Sequence, residues 1–160
     1  MPTFDITSNF DKQEVTNAID QAKREIVNRF DFRNTNTNIS YNESTITLVS
    51  STLDRLNAAD QVLKEKFVKR NVSIKFLSNI KEEKTPSEVK RFYNLKSGIT
   101  HDESKFITNL IKSNYKKIQS SYQNESIRVT AKKKDELQDI INFLKNSNID
   151  TPINFGNFRD

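Results

Sequence analysis

The 160-residue chain has no cysteine, only two glycines, one histidine and no long run of apolar residues. Without cysteine it forms neither disulfides nor thiolate metal sites. Two glycines are too few for a phosphate-binding loop or a dinucleotide fingerprint, because both need several positions where the backbone approaches phosphate without a Cβ. No segment is long enough for a membrane span, and residues 2–5 lack the basic start of a signal peptide. We therefore expect a soluble, cytoplasmic protein with no membrane partner.

Candidate catalytic and metal-binding groups are equally sparse. The single histidine, His101, follows a predicted helix cap at Thr100, so we expect it on the surface rather than as a catalytic base. The acidic pairs Asp102-Glu103 and Asp135-Glu136 fall in the first turns of predicted helices. There they complement the helix dipole, which favours a capping role over metal ligation. The sequence thus predicts a protein that is not an enzyme, with no metal site and no cofactor.

Basic residues are unevenly distributed along the chain. Residues 1–80 contain 11 basic and 10 acidic side chains, whereas residues 81–160 contain 15 and 11. A basic second half favours a partner that carries phosphate, although a lysine-rich surface is more often simply solvated.

An internal repeat with an offset of 81 positions organises the chain. Six apolar positions of the first copy recur in the second without a gap: Tyr41, Ile46, Leu48, Leu56, Leu63 and Val68 match Tyr122, Ile127, Val129, Leu137, Leu144 and Ile149. Spacing and apolarity agree throughout, so two copies of one structural unit are predicted.

Each copy has the order β-α-β-β-α-β, which is typical of a ferredoxin-like unit with two helices on one face of a four-stranded antiparallel sheet. The predicted strands of the first half cover 3–8, 38–41, 44–50 and 72–76, and its helices cover 11–29 and 53–69. Asp11 with Glu14, and Thr100 with Glu103, are predicted capping pairs. Residues 78–88 are almost without apolar side chains, so we expect an exposed connection there. The fold class is therefore α+β.

The two copies differ at the junction between the hairpin and the second helix. Ser50-Ser51-Thr52 of the first copy corresponds to Ala131-Lys132-Lys133 of the second. The N–H groups at a helix start attract anions, whereas positive side chains there cost up to about 1 kcal/mol. The cluster, which continues in Lys134, therefore either binds an anion or is a solvated run compensated by Asp135-Glu136. Arg128, on the outward face of the preceding strand, suits phosphate better than a base.

The stretch Arg29-Phe30-Asp31-Phe32-Arg33 is the densest alternation of charge and aromatic bulk. One interpretation is that it closes a helix, with the arginines near its C-terminus and the rings packed underneath. The other is that Phe32 stacks a base while Arg29 and Arg33 hold phosphates. The strand that begins at Val89 has Lys96 on the face opposite to the core, where this lysine could likewise hold a phosphate. The central strands lack the outward aromatic residues with which ferredoxin-like sheets stack RNA bases.

Four stretches together resemble the YajQ family of bacterial nucleotide-binding proteins. They are Met-Pro-Thr-Phe-Asp-Ile at 1–6, Arg-Glu-Ile with Arg-Phe-Asp-Phe at 24–32, Arg-Val-Thr with Lys-Lys and Asp-Glu-Leu-Gln at 128–138, and Asn-Phe-Arg-Asp at 157–160. The resemblance covers the whole length. It implies two ferredoxin-like domains with exchanged N-terminal strands: 9–97, closed by the strand near 89–97, and 98–160, completed by residues 1–8.

The resemblance also implies a non-enzymatic role. Members are described as nucleotide-binding proteins, some as cyclic di-GMP effectors that act through a protein or DNA partner, with RNA or mononucleotide binding also proposed. The leading hypothesis is a nucleotide-binding regulator whose ligand is cyclic di-GMP, GTP or ATP. The alternatives are an RNA-binding protein with a basic surface and a protein-binding adaptor. The candidate nucleotide-binding residues are Arg29, Phe32, Arg33, Lys96, Arg128, Lys132 and Lys133.

Overall fold

A computed structural model describes residues 1–160 and divides them into two compact units. The middle unit is Phe10–Lys96, and the terminal unit combines Met1–Asn9 with Ser97–Asp160. In chain order the elements are β1 (Thr3–Thr7), α1 (Lys12–Asn28), a 3-10 turn (Phe30–Phe32), β2 (Asn38–Asn42), β3 (Thr45–Ser50), α2 (Leu53–Lys69), a second 3-10 segment (Ile74–Ser78), β4 (Ile80–Lys84), β5 (Val89–Asn94), α3 (His101–Asn114), β6 (Gln119–Gln123), β7 (Ser126–Thr130), α4 (Lys134–Lys145) and β8 (Asn154–Arg159). No helix combines the length and apolar character needed to cross a bilayer.

Each unit contains one four-stranded antiparallel sheet and two helices. The strand order is β2-β3-β5-β4 in the middle unit and β6-β7-β1-β8 in the terminal unit. These two sheets with four helices confirm the α+β class and the two ferredoxin-like units. The first strand of the chain, β1, pairs with β7 and β8, while β5 pairs with β3 and β4. The two strands therefore occupy matching positions in the two sheets.

The alternation of apolar residues along the strands gives each sheet one buried and one open face. Ile46 and Leu48 of β3 are fully buried in the middle unit, as Ile127 and Val129 of β7 are in the terminal unit. The intervening residues are partly or fully exposed. A half-buried antiparallel sheet produces this pattern, and it leaves the open faces available for other contacts.

The fourth strand of the middle unit differs from the sequence prediction. The expected strand at 72–76 is an irregular segment followed by a 3-10 helix, which buries Phe76 and Leu77. The expected connection at 78–88 instead contains β4, whose five residues are all exposed and pair with β5. The strand forms through its hydrogen bonds to β5 rather than through burial, so it shows no apolar period.

The capping predictions are largely confirmed. Asp11 caps α1 by accepting hydrogen bonds from the backbone of Gln13 at 2.9 Å and of Glu14 at 3.4 Å. Thr100 and Glu103 form a complete capping box on α3. The reciprocal role predicted for Glu14 was wrong, because its carboxylate pairs with Arg70, the residue that follows α2, at 2.9 Å.

Candidate functional site

Arg29 ends α1 and is held by two carboxylates. Its guanidinium lies 3.1 Å from Glu25 Oε2 and 2.9 Å from Asp31 Oδ2. Arg55, from the start of α2, donates to the same Asp31 carboxylate at 2.6 Å. The hydrogen bond from Arg29 is the main reason why the pKa of Asp31 lies below its ordinary value. Arg29 and Arg55 are therefore engaged within the middle unit, so a phosphate would have to compete with Asp31 for them.

Phe32 is buried, with 6% of its surface exposed, and belongs to the core of the middle unit. The guanidinium carbons of Arg29 and Arg55 lie 5.0 and 5.6 Å from its ring centroid. Both its burial and these cation–π contacts leave no surface on which a base could stack, which corrects the role suggested for Phe32. The exposed ring is that of Phe30, at 79%, and Arg33 lies over it at 5.1 Å.

Lys96 is an exposed residue two positions beyond the end of β5. On the open face of the same strand, Phe92 pairs in register with Thr47, and the Asn94 side chain accepts a hydrogen bond from Thr45 at 3.0 Å. The middle unit thus contains Arg29, Phe32, Arg33 and Lys96, whereas Arg128, Lys132 and Lys133 belong to the terminal unit.

Arg128 lies on the open face of the terminal sheet, opposite Asp5 of β1. Its Nε is 3.0 Å from Asp5 Oδ1, and Asn157 of β8 donates to Asp5 Oδ2 at 2.7 Å. A shallow, mostly polar depression of about 100 Å³ adjoins this pair. It is lined by Asp5, Ser121, Gln123, Asn124, Ser126 and Arg128.

The pKa of Asp5 lies below its ordinary value because the effect of its neighbours exceeds the opposing effect of burial. Partial burial by itself would raise the pKa, but hydrogen bonds from Arg128 and Asn157 and the charges of Arg128 and Arg159 hold it below its ordinary value. Arg159 was not selected from the sequence. It joins this face because β8 extends to Arg159, which pairs with Thr3 of β1.

Lys132 and Lys133 are exposed at the start of α4 and form no ion pair. Lys133 is the N-cap residue, and no side chain caps the helix there. The matching position of the middle unit is Thr52, whose hydroxyl accepts from the Arg55 backbone at 3.2 Å. The amide groups that open α4 thus have no side-chain acceptor, and cations flank them.

Arg128 and Lys132 project from the same side of the terminal unit. Along residues 127–132 the side chains of Ile127, Val129 and Ala131 are buried, whereas Arg128 and Lys132 are exposed. A backbone hydrogen bond from Ala131 to Pro2, at 3.1 Å, continues the sheet pairing one step beyond β7. The alternation therefore places both cations on the open side of this sheet.

Comparison with known proteins gives a consistent result over the whole chain. Residues 2–159 match the family model described as "Nucleotide-binding protein YajQ-like". A "Nucleotide-binding protein" of Trichodesmium erythraeum is 44% identical over 158 residues, covering 98% of this chain and 97% of the relative. A relative of the same name from Mycobacterium ulcerans is 40% identical, covering 98% of each chain. Another from Hahella chejuensis is 36% identical over the full length of both.

Proposed function

Because the chain belongs to the family of YajQ-like nucleotide-binding proteins, we propose that it binds a nucleotide through the cationic surface of its terminal unit. This surface consists of Arg128, Lys132 and Lys133. The observation that carries the proposal is the uncapped start of α4. No side chain accepts a hydrogen bond from the first amide groups of this helix, and the adjacent Lys132 and Lys133 have no ion-pair partners.

Phosphate fits this arrangement for two physical reasons. The first amide groups of a helix and the helix dipole favour an anion, and a phosphate oxygen accepts hydrogen bonds that the absent cap residue would otherwise accept. The charges of Lys132 and Lys133 are unfavourable beside the positive end of the dipole. Asp135 and Glu136 in the first turn of α4 offset this cost in part, and a bound anion would offset it further. The middle unit carries Thr52 at this position, so the fold itself does not require the lysines.

We further propose that the protein is a cytoplasmic, non-enzymatic regulator whose ligand is cyclic di-GMP, GTP or ATP. The side chains of the surface are cations that donate hydrogen bonds, which suits phosphate binding. The single histidine lies elsewhere in the terminal unit, its ring 6.0 Å from that of Tyr122.

Calorimetric titration of the full chain with cyclic di-GMP, GTP and ATP tests the proposal. We expect saturable binding of at least one of them, accompanied by a rise in melting temperature, because a ligand that binds only the folded state stabilises it. The absence of both heat and a thermal shift with all three nucleotides would contradict it.

RNA is a second candidate ligand, favoured by the open face of the terminal sheet. Arg128 and Arg159 lie there with Asp5 as a carboxylate neighbour, and the outward residues of β7 are not aromatic. Backbone phosphates rather than bases would then be recognised, and affinity would fall with salt at a log–log slope of about −0.7 per phosphate neutralised. Filter binding of a single-stranded RNA at two salt concentrations measures this slope. A slope near zero would exclude recognition of RNA through its backbone phosphates.

A protein partner is the third candidate, favoured by the end of α1. Val27 and Phe30 are large apolar residues whose side chains are about four-fifths exposed. Exposed apolar residues of this kind often mark protein-interaction sites, because a partner that covers them removes apolar surface from water. Replacing both by Ser should abolish capture of such a partner in a pull-down while leaving nucleotide titrations unchanged; retained capture would contradict the adaptor role.

A further inference from the structure

A groove of about 220 Å³ lies between the start of α4 and the end of β8 in the terminal unit. Its floor is apolar and includes Leu137 and Ile141, each 5% exposed, together with the ring of Phe158. Its rim is polar and includes Lys134, Gln138 and Arg159. The groove begins at Lys134, the first residue of α4, which directly follows Lys132 and Lys133 in the chain.

Phe158 is held in place on one side and exposed on the other. Its ring stacks on that of Phe4, with centroids 6.1 Å apart and planes inclined by 27°. Phe4 is fully buried, yet Phe158 keeps 62% of its surface exposed. An aromatic ring that rests on the core and remains mostly uncovered offers a stacking surface whose orientation is already fixed.

A bulge in β8 turns Phe158 toward this groove. Phe155 and Phe158 are three residues apart, so a regular strand would place them on opposite faces of the sheet. Both nevertheless contact Phe4, because the pairing of β1 with β8 shifts register and Asn157 adopts a left-handed backbone with φ of 53°. Bulges of this kind redirect side chains, often beside binding sites.

The matching place in the middle unit is filled by a polar network. The repeat offset equates Gln138 with Asn57 and Ile141 with Asp60. The strand registers equate Phe4, opposite Val129, with Arg91, opposite Leu48.

In the middle unit, Arg91 fills this place and contacts three polar side chains. Its guanidinium donates to Asn57 at 2.8 Å and to Glu82 at 2.7 Å, and lies 3.6 Å from Asp60. In the terminal unit Phe4, Gln138 and Ile141 occupy the positions of Arg91, Asn57 and Asp60. The apolar lining of this groove is therefore specific to the terminal unit and is not imposed by the fold.

We infer that this groove receives the base of the bound nucleotide, stacked on Phe158, while the phosphates lie at the uncapped start of α4, beside Lys133 and Lys134. The inference rests on the proposed function and adds the location of the base. A nucleotide matches the groove because it joins a flat ring with a polar edge to an anionic group. Gln138 supplies an amide that can bond a base edge, and the start of α4 supplies the positive charge.

The ion pair at the rim does not block entry. Lys134 Nζ lies 2.6 Å from Asp160 Oδ1, but both side chains are at least 70% exposed. An exposed pair contributes little stability, so a phosphate can replace Asp160 as the partner of Lys134.

A single tryptophan provides the most direct test, since the chain contains none. In Phe158→Trp the only indole lies in the groove, and a nucleotide that stacks on it should quench its fluorescence with saturation. The matched control is Phe106→Trp, because Phe106 is another aromatic residue of the terminal unit, 54% exposed on α3 and outside the groove. Its fluorescence should not change with nucleotide.

Phe158→Ala tests the energetic contribution. It should weaken binding of the nucleotide by about ten-fold or more, because base stacking on an aromatic ring is lost. Binding of inorganic tripolyphosphate, which has no base, should be unchanged. Phe106→Ala should alter neither, and the circular dichroism spectra of all variants should match that of the parent chain.

The outcomes separate this inference from the proposed function. If the parent chain binds a nucleotide and Phe158→Ala binds it equally well, the base lies elsewhere and the inference fails while the proposed function stands. If the parent chain binds no nucleotide, the proposed function fails, and titration of Phe158→Trp with guanosine and adenosine decides the inference. Saturable quenching by a nucleoside supports a base site in the groove, and its absence overturns it.

Discussion

Arg128 and Asp5 face each other across the pairing of β7 and β1, with Arg128 Nε 3.0 Å from Asp5 Oδ1. The carboxylate also accepts from Asn157 and is influenced by the charge of Arg159. Asp5 therefore orients the guanidinium on the open face of the sheet while competing with any phosphate for it. The two effects act in opposite directions on ligand binding, and substitution of Asp5 shows which is larger.

Asp5→Asn should increase affinity for the nucleotide by about two- to five-fold. The substitution removes one negative charge, and exposed ion pairs contribute up to about 1 kcal/mol. The amide oxygen can still accept from Arg128, so the orientation is retained. Asp150→Asn is the charge-matched control at an exposed position of the same unit. Calorimetry should show a gain only for the first variant; a loss of affinity would mean that orientation outweighs competition.

Acid should destabilise the protein through Asp5, Glu25 and Asp31. The pKa of each lies below its ordinary value, for Glu25 mainly because of a hydrogen bond from Lys66. A lowered folded-state pKa contributes stability above the unfolded pKa, about 3.9 for Asp and 4.3 for Glu, and that stability disappears as the pH falls through the folded value.

Urea unfolding at pH 7, 5, 4 and 3 measures this effect. Stability should decline mainly below about pH 4. Glu25→Gln should flatten that decline, since it removes one of the titrating groups, whereas Glu65→Gln, an exposed carboxylate of α2 without an ion pair, should leave it unchanged. Equal slopes for the parent and Glu25→Gln would show that Glu25 does not contribute.

Phe32 and Phe30 should behave as opposites although they are two residues apart. Phe32→Ala removes a buried ring and two cation–π contacts, and should reduce the free energy of unfolding by about 3–5 kcal/mol. Phe30→Ala changes an exposed ring and should alter it by about 0.5 kcal/mol at most. Denaturant unfolding monitored by circular dichroism compares the two. Similar values would contradict the assignment of Phe32 to the core.

Arg91→Ala should destabilise the middle unit by about 3 kcal/mol. The substitution leaves Asp60 without one cation and Asn57 without its donor, and loss of one partner of a buried ion pair typically costs about 3–5 kcal/mol. The lower end applies because Lys64 still pairs with Asp60 at 2.9 Å. Arg24→Ala, at an exposed position of α1, is the control. A cost below about 1 kcal/mol would show that the network contributes little.

Much of the fold could be predicted from sequence because most elements bury one face. The helix predicted over 53–69 matches α2, and the repeat offset predicted the second hairpin and α4. Strand β4 was missed because an edge strand with five exposed residues carries no apolar period. Its existence depends on hydrogen bonds to β5, which no local pattern reveals.

The candidate site was predictable only where its chemistry is local. The cluster at Lys132 and Lys133 is visible as a departure from the first copy, and the exposed position of Arg128 follows from alternation along β7. Phe32 is buried through contacts that are distant in sequence, among them Arg55, which is 23 residues away. The contact of Phe158 with Phe4 depends on a bulge at Asn157, because a regular strand would have placed the ring on the opposite face of the sheet.

The lysine pair at the start of α4 gives the sharpest test of the binding surface. Lys132→Ser combined with Lys133→Thr gives α4 the residues that precede α2 in the middle unit. It should weaken nucleotide binding by about 3 kcal/mol, or roughly 100-fold, because two charge-assisted contacts to phosphate are lost. Stability should rise by about 0.5–1 kcal/mol, since Thr at position 133 can cap the helix as Thr52 does.

A matched double substitution separates the effect of lysine position on nucleotide affinity from the effect of net charge. Lys116→Ser with Lys117→Thr removes the same charge from an adjacent, exposed lysine pair of the same unit that lies outside any helix start. It should leave stability nearly unchanged and reduce nucleotide affinity by no more than about two-fold, as expected for a distant surface charge. If both double variants weaken binding equally, net charge rather than the start of α4 governs affinity. If the first variant binds normally but is more stable, the lysines face solvent only, and the phosphate site lies elsewhere, with Arg33 and the exposed Phe30 of the middle unit as the next surface to test.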